Sequence, residues 1–127
     1  MRRSDQRRAA VVALYQHDVT ARPLAELVPR DATAFTRELI EGAAARTEEL
    51  DALIERYAEG WTLDRIAPLE RNILRVALYE LIDRDDVPDE VAIDEAVEAA
   101  KELCSAEAPS FVNGILGAVQ RERAAAR

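Results

Sequence analysis

Apolar residues return along this chain at the spacing of a helix, and in one stretch they do so on more than one side. In RIAPLERNILRVALYELI (65–82), Ile66, Leu69, Ile73, Leu74, Val76, Ala77, Leu78 and Leu81 cover about half of a helical circumference at 100° per residue. That arc is too wide for a surface helix and predicts a central helix over 68–83, packed by neighbours on two sides. Pro68 suits its first turn, where a missing N–H is no loss. Arg71, Asn72, Arg75 and Tyr79 gather on the narrower opposite face, while Glu70 and Glu80 project into the apolar arc. Carboxylates are seldom buried unpaired, so each of these two needs a partner or a contact surface.

The same spacing predicts helices near 5–18, 32–45, 47–59, 94–104 and 111–123, with no sheet. Ser4 or Asp5 is the expected cap of the first helix, whose buried stripe reads Ala10, Val11, Leu14 and His17; Asp31, Thr47 and Asp94 are expected to cap later ones. Residues 19–31 read as a connection between prolines 23 and 29. Phe35, Leu39, Ile40 and Ala43 form the next stripe, with Gly42 placed for a close helix crossing, and Leu50, Leu53, Ile54 and Tyr57 the one after. Gly60 ends that helix, and Trp61 is expected to anchor two halves to each other and not to bind a ligand. Val91 and Ile93 read as short and extended before a stripe of Ile93, Ala96, Val97, Ala100, Leu103 and Cys104; Pro109 and Ser110 then stop and restart the chain. In the last helix Phe111, Val112, Ile115, Leu116, Ala118 and Val119 share one side; Asn113, Gly114, Gly117, Gln120 and Arg121 share the other. Two glycines on a polar helix face call for the close approach of another backbone, either a helix of the same chain, which spacing slightly favours, or an external strand.

Composition agrees with an all-α fold: 49% hydrophobic residues with only 4 glycines and 5 prolines in 127. The length fits a single domain, 1–127, made of two small helical subdomains of about 1–59 and 60–127, with six to seven helices in all. One cysteine and one histidine offer neither a disulfide framework nor a zinc site, and point to a reducing, cytoplasmic setting without a cofactor. No run of about 18 apolar residues is present, so no membrane span is expected. A net charge of −8 speaks against a generic nucleic-acid binder. The charge is uneven, however. Arg2, Arg3, Arg7 and Arg8 crowd the first eight residues, and acid gathers at 83–86 and 89–102.

Candidate chemistry is that of binding. There is no phosphate loop, HExxH or GxSxG, and His17 beside Asp18 is no dyad, since helical neighbours point 100° apart. Arg8 and Tyr15 lie two turns apart on nearly one meridian, the pairing that neutralises a phosphate and stacks a base of single-stranded RNA. The commoner reading of that pattern is a solvated arginine tail and a tyrosine at the core edge. Cys104 falls in an apolar stripe and reads as core rather than nucleophile.

Taken together, the blocks RR…ALY, TRELIEG (36–42), IAPLERNILRVALYEL, DVPDEVAIDEAVEAAKEL and FVNGIL (111–116) cover nearly the whole chain and resemble the NusB family of transcription antitermination factors. The resemblance implies an all-helical fold of two subdomains. It also implies binding of boxA RNA of ribosomal RNA leader transcripts jointly with NusE, a small-subunit ribosomal protein, to carry RNA polymerase past terminators. By position, Arg2, Arg3, Arg7 and Arg8 match the family's arginine-rich RNA-binding segment, Tyr15, Phe111 and Asn113 its nucleic-acid surface, and Glu70 its NusE contact. Glu80 is expected to be structural, accepting backbone N–H groups near 91–93. The N-terminal segment is short and lacks lysine, which implies fewer phosphate contacts. Two alternatives are the related N-terminal module of ribosomal RNA cytosine methyltransferases, for which this sequence shows no donor loop or catalytic cysteine motif, and a helical protein-interaction module. The glycine-bearing face of the last helix leaves room for a homodimer.

Overall fold

The computed structural model describes residues 1–126, and among these all regular structure is helical. Seven α-helices follow in order: α1 (Arg3–Thr20), α2 (Leu24–Leu27), α3 (Ala34–Ala45), α4 (Thr47–Tyr57), α5 (Pro68–Asp83), α6 (Asp89–Leu103) and α7 (Ala108–Ala125). A 3₁₀ turn, Leu63–Arg65, precedes α5. Helix α5 lies at the centre, packed against α1, α3, α4, α6 and α7. Ile73, Leu74, Val76, Ala77, Leu78 and Leu81 are buried, as their wide arc requires, in a core that runs through all the long helices.

The face of α5 read as polar and narrow is also covered. Asn72 is buried against Asp18 of α1, and Tyr79 is buried against Gly42 of α3 with its hydroxyl donating to Glu38. Arg71 Nε donates to Asp18 at 2.7 Å, Arg75 Nε to Asp51 at 2.7 Å, and Asn72 Nδ2 bridges Asp18 and the Pro68 carbonyl. Gly42 makes the expected close crossing: a Cβ there would stand 2.2 Å from the Tyr79 ring.

Several local expectations are overturned. Helix α1 begins at Arg3 without a side-chain cap, and the Ser4 hydroxyl is turned across to Glu95 at 2.8 Å. Thr33, not Asp31, caps α3, its Oγ1 accepting from the Thr36 N–H at 3.1 Å. Thr47 caps nothing; with a single residue between α3 and α4, its hydroxyl donates back to the last carbonyls of α3. Val91 and Ile93 are helical, because α6 starts directly behind Pro88 with Asp89 and Glu90 in the favourable first turn, which leaves Asp94 inside the helix. Pro109 lies in the first turn of α7 and starts that helix rather than stopping the chain. His17 is exposed and Ala13 takes its place in the α1 stripe. Trp61 is no buried anchor: it is 51% exposed and touches Phe111 only edge-on.

Candidate nucleic-acid interface

Arg7 is the largest departure from the N-terminal arginine patch. Counting from Arg3, it falls on the inward face of α1, and its Nε and Nη2 donate to the Glu80 carboxylate at 2.9–3.0 Å. Arg7 is 7% and Glu80 1% exposed, so each neutralises the other inside the core. This corrects two expectations at once. Arg7 is not a solvated phosphate contact, and Glu80 accepts a guanidinium from α1 rather than backbone N–H groups near 91–93. The carboxylate left inside the apolar arc of α5 needed a cation, and α1 carries one opposite it.

The other three arginines stay near the surface. Arg2 is exposed, its Nε 3.6 Å from Asp5. Arg3 is exposed and its guanidinium lies 4.0 Å over the Phe35 ring, an arrangement that leaves its N–H edges free. Arg8 is held by α6: Nε and Nη2 each meet Glu102 at 2.9 Å, Nη1 stands 3.9 Å from Glu95 and donates to the Ser4 carbonyl. Tyr15 is half-buried further along α1.

Phe111 and Glu70, which the sequence presents as separate contacts, line one groove of ≈ 350 Å³ together with Trp61, Arg65 and Glu107. It lies where the α6–α7 joint meets the start of α5. The rings of Trp61 and Phe111 stand 6.3 Å apart at 69°. Burial pushes the Glu70 carboxyl above its ordinary range, and the charge of Glu107 adds to this. Cys104, half-buried nearby, has its thiol raised by burial to about 11, which suits a packed thiol rather than a nucleophile. Asn113 and Gly114 are exposed on α7 just beyond Phe111. A Cβ on Gly114 would meet nothing within 4 Å, and one on Gly117 only the Arg121 guanidinium at 3.2 Å, so the two glycines serve no helix crossing among the described residues. Sequence reading missed Trp61, Arg65 and Glu107 as members of this groove. The signal for Trp61 was its setting, since GWTLDR places a large ring in an otherwise polar joint after a helix-ending glycine.

Fold and surface together define an all-helical binding module, in which arginines stand at the start of α1 and Trp61 of the α4–α5 joint shares a groove with half-buried Phe111 in the first turn of α7. The NusB family model matches residues 4–121, and the chain belongs to the NusB family. It is 51% identical over 102 residues to the transcription antitermination protein NusB of Frankia casuarinae, covering 80% of this chain and 75% of that protein. To the transcription antitermination protein NusB of Salinispora tropica it is 41% identical over 123 residues, covering 89% and 90%. Among solved structures, NusB of T. maritima superposes with a TM-score of 0.88 at 36% identity, over 96% of this chain and 92% of that one. A chain in a complex of the antitermination factors NusB and NusE with double-stranded RNA superposes with a TM-score of 0.84 at 28% identity, covering 94% and 96%.

Proposed function

We propose that this chain acts in the cytoplasm as an antitermination factor that binds boxA RNA of ribosomal RNA leader transcripts together with NusE, within an antitermination complex on RNA polymerase. The observation that supports this most directly is the groove at Phe111 and Glu70. Residues matched by position to the RNA surface and to the NusE contact open onto one space, so a strand and a basic protein would meet there. The solved NusB–NusE–RNA complex, containing a chain of this fold, supports the same pairing of ligands.

In this reading Arg2, Arg3 and Arg8 meet phosphates, Tyr15 and Phe111 offer ring faces, and Asn113 offers an amide to a base or ribose. Arg7 contributes indirectly, by seating α1 on α5. Glu70, half-buried beside the like charge of Glu107, suits a basic side chain of the partner. The net charge of −8 opposes RNA beyond the arginine patch, and a basic partner reduces that repulsion. Fluorescence anisotropy with boxA-like RNA and a scrambled control, with and without NusE, tests the reading. Sequence-selective binding strengthened by NusE is expected. Equal affinity for both RNAs, indifferent to NusE, would overturn it and favour a helical interaction module, the reading that the net acidity otherwise supports.

A further inference from the structure

We propose that Trp61 is the stacking platform for one unpaired RNA base, in a subsite whose second wall is Phe111. This rests on the RNA-binding reading above and adds to it a ring outside the blocks that carry the family resemblance. The ring is half exposed, and the backbone that carries it is held in place. Gly60 turns the chain at φ 79°, the Trp61 N–H donates to the Ala58 carbonyl at 2.8 Å, and Glu55 Oε2 accepts from the Leu63 N–H at 3.0 Å. A large apolar ring carried into water on an ordered backbone, with one edge contact to Phe111, is placed to receive a flat partner.

The geometry selects how that partner sits. Two rings sandwiching a base need parallel planes roughly 7 Å apart, twice a van der Waals contact. Here the centroids are 6.3 Å apart and the planes are tilted by 69°, which makes a corner. A base therefore lies flat on Trp61 with its edge against Phe111. Charge selects the polarity of entry. Glu70 and Glu107 repel a phosphate from the interior of the groove, whereas a neutral base is admitted, and exposed Arg65 supplies a cation for the attached phosphate. Stacking on a ring face does not depend on base identity, so the subsite adds affinity rather than sequence preference.

Trp61 is the only tryptophan, so its emission reports on this groove alone. Titration with boxA-like single-stranded RNA, with NusE absent, should change that emission along the same curve that anisotropy follows. Trp61→Ala should weaken RNA roughly tenfold, with an unchanged salt slope because a ring releases no counterions, and Trp61→Phe should retain most of the affinity. Circular dichroism identical to wild type would show that Trp61→Ala is folded. RNA binding that leaves the emission constant, with Trp61→Ala binding as wild type does, would overturn the subsite while the RNA reading stands. Emission that changes only when NusE is added would give the groove to the protein partner and overturn it too. A wild-type chain that binds no RNA even with NusE would remove the underlying reading, and the subsite with it.

Discussion

Arg7 and Glu80 show how one residue can change role between sequence and structure. In the sequence Arg7 is one of four arginines at a terminus; in the fold it is the counter-charge that lets a carboxylate sit in the core. Removing one member of such a pair leaves the other buried and unsatisfied, so Arg7→Ala should cost about 3–5 kcal/mol, against less than about 0.5 kcal/mol for exposed Arg2→Ala. Urea unfolding measures both, and equal losses would place Arg7 at the surface. Asp18 gives a second test at this scale. Burial alone would raise its carboxyl, but hydrogen bonds from Arg71 and Asn72 and the charges of Arg71 and Arg75 outweigh it and hold the group below its ordinary 3.8. A carboxyl lowered in the native state contributes stability that is fully present above its unfolded value and is lost as pH falls through the folded one. Asp18→Asn should therefore flatten the acid side of the stability curve below about pH 5, read as urea midpoints. An acid limb as steep as that of the wild type would show that Asp18 does not carry it.

At the scale of elements, two glycines on different helices make opposite predictions. Gly42→Ala drives a methyl group into the Tyr79 ring of α5 and should destabilise by about 1–3 kcal/mol. Gly114→Ala meets open space on α7, replaces a poor helix former and should stabilise by up to about 1 kcal/mol. Thermal unfolding compares them, and a loss at both positions would mean that α7 is covered. If that stabilised variant binds RNA less well, the open glycine face serves the strand. The contact between α1 and α6 makes a further prediction. Glu102 holds Arg8 at 2.9 Å, so a phosphate has to compete with it. Glu102→Gln should strengthen RNA binding several-fold at low salt, and less at high salt, where exposed charges are screened. Weaker binding by this variant in anisotropy titrations would show that Glu102 positions Arg8 instead of restraining it.

For the whole molecule, an acidic body carrying a small basic patch implies weak RNA binding alone and cooperative binding with a basic partner. With Arg7 inside the core, Arg2 and two arginines of α1, Arg3 and Arg8, remain for phosphates. Single-stranded RNA should then show a salt slope of only about −2. NusE should tighten RNA, and RNA should tighten NusE by the same factor, because coupling free energies are reciprocal. Paired titrations measure both legs. Unequal factors would reveal a further linked process such as self-association, and full affinity in the absence of NusE would remove the cooperative mechanism. Charge reversal at Glu70 should reduce the enhancement and spare solo RNA binding; loss of solo binding would place Glu70 under the strand.

Local periodicity was enough to determine that this chain is all-helical, that 68–83 is its central helix and that Gly42 marks a crossing. These follow from which residues share a helix face, and a helix face is set by residues three and four apart. The order of the sequence blocks was likewise enough to point to the NusB family. Only the tertiary structure decided the fates of the charges. Whether Arg7 met phosphate or Glu80, and whether Arg71 and Arg75 met water or Asp18 and Asp51, depended on partners 24 to 73 residues away. It also brought Trp61, Glu70 and Phe111, from three separate segments, to one groove. Helical periodicity records which side of a helix is apolar, not which ion or ring a neighbouring helix will bring to it, and the binding surface proposed for this protein is made of such pairings.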